Sequence, residues 1–240
     1  MPNTPSESPG DIARDHRLRR LVRQVTGKKE PLNPLRSGLH SRGYLPHLKV
    51  EGAAYFTTFR TDDSLPKSVY LRLLEKRRAS EQRLCAIKDD EERRNMADET
   101  VREFQREIER ILDTCLGECH LRRSECAAIV AQALKFFDRD RYHLKAWVVM
   151  PNHVHTLVWP KPPHTLSEIL KSWKGFTARE INKVIGKTGA RFWQPESFDR
   201  WLRGPDEEPS YRKYIENNPV KAKLSAIPDE WRWSSAWRRE

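Results

Sequence analysis

Residues 141–160 read RYHLKAWVVMPNHVHTLVWP, and this stretch decides the fold. Tyr142–Val149 alternates and is rich in β-branched and aromatic residues, the pattern of a strand half-buried in a sheet. Met150–Asn152 turns the chain through Pro151, and His153–Trp159 repeats the strand pattern. The two runs predict an antiparallel hairpin. Strand side chains alternate with a period of two, so His153 and His155 project from one face and Val154 points the other way, into a core. Two imidazoles on one face make half of a metal site. The same pattern also suits two exposed histidines on a polar face.

Working outward, Thr165–Gly186 reads as an amphipathic helix, with Leu166, Ile169, Leu170, Trp173, Phe176, Ile181 and Val184 on or near one side. Gly186 and Gly189 stop it. Arg191–Arg203 (RFWQPESFDRWLR) predicts strand, turn at Pro195, strand. Asp206–Asn218 predicts a helix ended by Pro219, which cannot continue it. Tyr214 and Asn218 stand four residues apart there, so one helical turn puts them on the same side. A packed tyrosine with a capping asparagine would show the same spacing, and Pro219 biases Asn218 away from helical angles. Trp231, Trp233 and Trp237 suggest aromatic packing onto the body. Upstream, Ala53–Arg60 (AAYFTTFR) predicts the first strand and Asp62–Pro66 a turn. From Lys67 to Phe137 the apolar residues recur at helical steps around a very polar centre, Ser80–Thr100. This predicts a surface excursion of two or three helices, rich in i,i+4 opposite charges. Residues 1–44 are rich in Pro, Gly, Ser and Arg, and read as a mostly flexible basic arm with a short helix near Arg17–Val25.

The charge is unevenly spread. The 240-residue chain has 45 Lys+Arg against 34 Asp+Glu, a formal charge of +11. Residues 1–50 hold 10 basic and 4 acidic side chains, residues 161–203 hold 9 and 4, and residues 71–135 hold 14 of each. A positive arm and one positive downstream segment point to an acidic partner, of which nucleic acid is the commonest. The hydrophobic fraction, 37%, is low and fits a chain with an arm and a charged insert. No run of about 18 apolar residues predicts a transmembrane helix, and the first residues lack the apolar core of a secretory signal. A cytoplasmic, nucleoid-associated protein is expected.

The blocks AWVVMPNHVHTLVWP, LSEILKSWKGFTAREIN, RFWQPESFDRWLR, YIENNPVKAKL and WRWSSA, in that order, resemble the REP-associated tyrosine transposases. These are relatives of single-strand insertion-sequence transposases in the His-hydrophobe-His (HUH) nuclease superfamily. The resemblance covers about residues 45–237 and rests most on PNHVH and YIENNPVKA. The arm and the stretch near 80–115 fall outside it. It implies an α+β domain at residues 45–240, a ferredoxin-like antiparallel sheet with helices on one side, carrying a helical insertion at about 67–137. It implies that His153 and His155 bind a divalent cation, Mg²⁺ or Mn²⁺. Asn218 takes the place where relatives carry a third polar ligand, although an amide is weaker there than a carboxylate. It implies that Tyr214 is the nucleophile, that single-stranded DNA with hairpins is the partner, and that the protein acts as a monomer or a homodimer.

The chemistry is coherent. A phenol is a poor nucleophile near neutral pH, and a cation held by neutral imidazoles can polarise a scissile phosphate. Attack by tyrosine gives a 5′-phosphotyrosine bond and a free 3′-hydroxyl, and the retained bond energy lets the same site rejoin strands. Tyr211, three residues before Tyr214, competes for the role. Lys171, Lys174, Arg179, Lys183, Arg191, Arg200 and Arg203 are candidates to neutralise phosphates. Trp173, Phe192, Trp193 and Trp201 would stack unpaired bases or pack the core. Cys115, Cys119 and Cys126 suit either zinc or one apolar helix face. The alternative function is a protein that grips structured single-stranded DNA or RNA without cutting. An unrelated hydrolase lacks support, since no nucleophile motif such as G-x-S-x-G is present.

Overall fold

The computed structural model describes residues 38–41, 46–49, 52–202 and 204–238. The expected helix near Arg17–Val25 lies outside them, as does most of the basic arm. Two short strands, β1 (Gly38–Ser41) and β2 (Pro46–Lys49), pair with each other at the arm's end. The main sheet has four antiparallel strands: β3 (Tyr55–Arg60), β4 (Tyr142–Val149), β5 (His153–Pro160) and β6 (Phe198–Trp201). Their order across the sheet is β4-β5-β3-β6. Helix α3 (Ser124–Phe136) lies between β3 and β4 in the chain, and α4 (Leu166–Val184) between β5 and β6. Strand, helix, two strands, helix, strand, with the first and third strands central, is the ferredoxin-like arrangement.

The hairpin forms as its alternation dictates. Val149 pairs with Val154, Val148 with His155, and Trp147 with Thr156, with a bulge between Leu144 and Ala146. Both faces are covered. On one, Tyr55, Phe59, Val154 and Val158 pack with Val130 and Leu134 of α3 and with Ile169, Trp173 and Ile181 of α4. The indole N–H of Trp173 donates to the Tyr142 hydroxyl at 2.9 Å, which donates to the Leu134 carbonyl at 2.9 Å, so the buried polar atoms are satisfied. Thr165 and Glu168 form a reciprocal cap that fixes where α4 starts. On the other face, Phe56, Val148 and Leu157 pack with Ile215 of α5 (Glu208–Glu216). The C-terminal stretch covers the exposed edge of β4: Val149 donates to the Trp233 carbonyl and Ser235 to that of Trp147.

The segment read as one helical excursion divides in two. Helices α1 (Lys67–Ala86) and α2 (Asp90–Asp113) form a long antiparallel pair tied by Lys76 and Arg72 to Glu107, at 2.6 and 3.7 Å. Helix α3, grouped with them by the sequence pattern, is instead buried in the domain core through Cys126, Ala127, Val130, Ala131 and Leu134. Its small residues let it lie close to α4, a contact that periodicity alone does not reveal. The α1–α2 pair leaves and rejoins the domain at one place. The Glu118 N–H donates to Asp63 Oδ2 at 2.7 Å, and Gly117, at φ +90°, has no room for a Cβ against Asp63.

Candidate active site

The histidine face of the sheet carries the site. Strand parity puts His153, His155 and Leu157 on the face opposite Val154, and both imidazoles are buried, at 1% and 0% exposure. They are therefore not an exposed pair on a polar face. Their Nε2 atoms are 3.1 Å apart.

The neighbours orient each ring. Asn152 Nδ2 donates to the Leu116 carbonyl at 3.0 Å, which turns Oδ1 toward His153 Nδ1 at 2.8 Å. An amide oxygen only accepts, so His153 carries its proton on Nδ1 and presents a lone pair at Nε2. His155 Nδ1 lies 2.8 Å from Thr58 Oγ1, its cross-strand partner, and this hydroxyl serves either tautomer. With the His155 proton on Nδ1, both Nε2 lone pairs face one another and invite a cation between them. With it on Nε2, a closed chain runs from Thr58 through both histidines to Asn152. Orienting hydrogen bonds of this kind accompany metal-ligating histidines.

Electrostatics keeps the imidazoles neutral. Burial, then the positive charges of Lys221 and Arg60, pull His153 down to about 3. Burial, then His153 and Lys221, pull His155 well below its ordinary value. A neutral imidazole is the form that binds metal. The unfolded chain takes up a proton on His153 near 6.5, whereas the folded chain does not until about 3. The unfolded state therefore binds more protons across that window, and stability falls as pH falls through it. Without metal, stability should fall as pH falls below 6, by on the order of 1 kcal/mol per pH unit. Denaturant midpoints at pH 7 and pH 5, in EDTA, should show the drop, and His153→Gln should reduce it, the share from His155 remaining.

Helix α5 brings up the tyrosines. The Tyr214 ring meets His155 edge-on at 5.7 Å and Phe56 at 5.7 Å. Tyr211 packs on Phe56 at 5.2 Å and lies under the Arg200 guanidinium at 5.5 Å. The helix breaks after Glu216, since Pro219 has no N–H to give, and restarts as α6 (Asn218–Lys221). Asn218 stays close to helical register and is 1% exposed, with Oδ1 and Nδ2 both buried and unpartnered. An unsatisfied buried amide is costly, and it fits a group that a bound cation would engage. The structure brings His153 and His155 together, and Asn218 follows one helical turn after Tyr214, whose ring packs on His155. Among the described residues no cluster of three His, Cys, Asp or Glu side chains stands where a metal would be held. A site here therefore rests on two imidazoles and an amide.

Other residues reach the tyrosine that the sequence reading missed. Burial, then the charge and carboxylate of Glu109 and the charge of Asp113, push the Tyr214 phenol far above its ordinary value, and Asn218 acts weakly in the opposite sense. The hydroxyl is buried and closes no well-formed hydrogen bond with these neighbours. Lys221 pairs with Asp113 at 2.9 Å and lies 5.8 Å from the centre of the Tyr214 ring. Asn152 stands beside His153 in sequence, and Thr58 follows from strand register. Glu109 and Asp113 give no sequence signal, because their contact is tertiary.

The basic candidates divide. Helix α4 packs on the Val154 face, so Lys171, Lys174, Arg179 and Lys183 stand on the far side of the sheet from the histidines. These four candidates therefore do not share a face with the histidines. Lys174 donates to the carbonyls of Gln194 and Pro195 at 2.6 and 2.8 Å, stapling that loop to α4, and Lys183 pairs with Glu180. Arg191 is exposed, 3.9 Å from Asp62. Arg200 shares the histidine face, opposite Phe56, and pairs with Glu207 at 3.1 Å. Arg203 lies outside the described residues. Trp173, Phe192 and Trp193 are buried core residues, and Trp201 is half-buried. Cys126 is buried in α3, and the Cys119 thiol donates to the Cys115 carbonyl, so these cysteines fill and pair locally.

Residues 121–218 match the family model of IS200-like transposases. That stretch is similar to the IS200-like transposases. It spans α3, the histidine hairpin, α4, β6 and the tyrosine helix, and so takes in His153, His155, Tyr214 and Asn218. The resemblance read from the sequence blocks agrees with it. Several solved structures are similar to the chain, among them two described as transposases. One is a REP-associated tyrosine transposase bound to a REP hairpin, 15% identical, covering 84% of this chain and 91% of that one, with a TM-score of 0.44. The other, from Deinococcus radiodurans R1, is described as a transposase; it is 17% identical and covers 75% of this chain and 96% of that one, with a TM-score of 0.30. No curated protein matches the chain by sequence. No described helix is long and apolar enough to cross a membrane.

Proposed function

We propose that the transposase domain cleaves and rejoins single-stranded DNA beside hairpins, with Tyr214 as nucleophile. The observation that carries this reading is the buried pair of neutral histidines, Nε2 to Nε2 at 3.1 Å, with the Tyr214 ring against one of them. A protein that only grips DNA has no need of this arrangement. His153, His155 and Asn218 would hold Mg²⁺ or Mn²⁺, which when bound would polarise the scissile phosphate. Asn152 holds His153 in the ligating tautomer, and Thr58 orients the His155 ring while allowing either tautomer. The helix bearing Tyr214 sets the phenol oxygen over the same sheet face, and Phe56 and Leu157 keep that face dry. Arg200 is the candidate cation on the face a strand must cross. Lys171, Arg179 and Arg191 would touch DNA only where it wraps past the α4 side.

With Mn²⁺, a single-stranded hairpin oligonucleotide should yield a covalent protein–DNA species and a fragment with a free 3′-hydroxyl, while the matching duplex yields neither. Salt-dependent binding with no cleavage in either Mn²⁺ or Mg²⁺ would favour the non-cleaving DNA- or RNA-binding function instead.

A further inference from the structure

The family match leaves out both the α1–α2 pair and Lys221, yet these meet beside the tyrosine. Lys221 closes α6, and its N–H donates to the Asn217 carbonyl at 3.0 Å, so the helical path runs on past Pro219. Seven residues after Tyr214 and three after Asn218, Lys221 falls on their side of that path. Its ammonium lies 5.8 Å from the centre of the Tyr214 ring, and 46% of its side chain is exposed. The ammonium is held from the insertion. Asp113, the last residue of α2, places Oδ2 2.9 Å from Lys221 Nζ. A carboxylate at a helix C-terminus opposes the helix dipole, and Asp113 Oδ1 is buried without a hydrogen bond, so the Lys221 charge offsets an unfavourable placement. The end of α2 is itself anchored: Leu112, fully buried, packs with Leu65 and Val69, and Glu107 pairs with Lys76. An ammonium has three donors, and Asp113 meets it from one side. The charge also reaches both imidazoles, where it helps to keep them neutral. Two other cations on this face are engaged or enclosed: Arg200 pairs with Glu207, and Arg60 is 4% exposed.

We propose that Lys221 is the cation that grips the reacting phosphate of the DNA strand, and that Asp113, delivered by the insertion, is the residue that positions it. The inference rests on the reading of Tyr214 as nucleophile. Lys221 donates a hydrogen bond to a non-bridging oxygen of the phosphodiester that lies against Tyr214, and keeps that oxygen while the phosphate is esterified to the tyrosine. It retains its own protons throughout and forms no covalent bond. Negative charge gathers on the phosphate oxygens as phosphorus is attacked, and a donor aimed there before the strand arrives stabilises that charge with no reorganisation at the moment of reaction. A half-exposed ion pair adds little to stability, so the Asp113 contact acts chiefly by setting where the ammonium points. The insertion thereby contributes to the site without supplying a group that touches DNA.

The test uses the full chain, in saturating excess with Mn²⁺, over a pool of single-stranded hairpin oligonucleotides, and follows the single-turnover rate of covalent adduct formation. Lys221→Met should slow the adduct about a hundredfold, the loss that follows removal of one such donor. Lys221→Arg keeps the charge and should recover most of the rate. Asp113→Asn leaves the ammonium but loosens its hold, and its rate should fall between wild type and Lys221→Met. Salt dependence supplies the second readout. In a Tyr214→Phe background, which cannot form the adduct, Lys221→Met should lower the slope of log affinity against log salt by about one, and Lys221→Arg should leave it unchanged. A lysine with a purely structural role moves neither the slope nor the contrast between Met and Arg. Its side chain is half-exposed, so the variants should melt like the wild type. A wild-type rate in Lys221→Met, or equal losses in Lys221→Met and Lys221→Arg with an unchanged salt slope, would overturn the role of Lys221 while leaving Tyr214 as nucleophile. A wild-type rate in Asp113→Asn would overturn the positioning by the insertion. A wild-type chain that forms no adduct on any hairpin overturns the cleavage reading, and this inference with it.

Discussion

Tyr214→Phe should leave no covalent protein–DNA adduct on a denaturing gel, with adduct formation below detection rather than merely slowed. The reason is chemical: without the phenolic oxygen no phosphotyrosine bond can form, whatever else the site retains. The substitution is also structurally mild. The Tyr214 hydroxyl is buried and makes no well-formed hydrogen bond, so its removal should change stability by no more than about 1 kcal/mol. The ring, with its edge contacts to His155 and Phe56, stays in place. Loss of the adduct in a protein that melts like the wild type therefore reads as lost chemistry. Tyr211→Phe provides the contrast. Tyr211 shares the Phe56 contact but sits under Arg200, and its substitution should preserve the adduct. The reverse result, an adduct that survives Tyr214→Phe and disappears with Tyr211→Phe, would make Tyr211 the nucleophile and overturn the role of Tyr214.

The histidine hairpin was legible in sequence because strand parity is a local property: period-two alternation put His153 and His155 on one face, and the register keeps them there. The side of the sheet on which a helix packs is not local. Helix α4 follows β5 closely in the chain, but it packs on the Val154 face, so its lysines share sequence with the site without sharing its surface. The same limit explains α3. Its apolar residues continue the helical spacing of α1 and α2, and only the packed structure separates a core helix from the pair before it. Glu109 is the extreme case. Charged residues crowd α2, and nothing in their spacing marks Glu109 as buried. The buried aromatics show a third limit. Trp173 and Trp193 sit in a basic segment, where stacking on bases is a natural expectation, yet their indole N–H groups are satisfied inside the core by Tyr142 and Thr177.

Substituting either histidine should remove cleavage, and the two neighbours that orient them should weaken it by degrees. His155→Gln and His153→Gln each delete an Nε2 lone pair from a pair only 3.1 Å apart, leaving one imidazole and a weak amide. Neither half-site should hold Mn²⁺, so both variants should match the effect of adding EDTA to the wild type: hairpin binding retained, adduct absent. Thr58→Val and Asn152→Ala leave both imidazoles in place but release the hydrogen bonds at 2.8 Å that orient the rings. A cation then has to select a ring orientation that the wild-type protein supplies in advance. Loss of such orienting partners typically costs about 10–100-fold in metal affinity or activity. Calorimetric titration with Mn²⁺, paired with the adduct gel, should therefore rank the wild type above Thr58→Val and Asn152→Ala, and those above the histidine variants. Asn152→Ala should show the larger loss of the two, because Asn152 admits one tautomer of His153 whereas Thr58 accommodates both of His155. Equal cleavage by wild type and the histidine variants in Mn²⁺ would show that the pair is a structural hydrogen-bonded chain, closed from Thr58 to Asn152, and that the chemistry at Tyr214 proceeds without it.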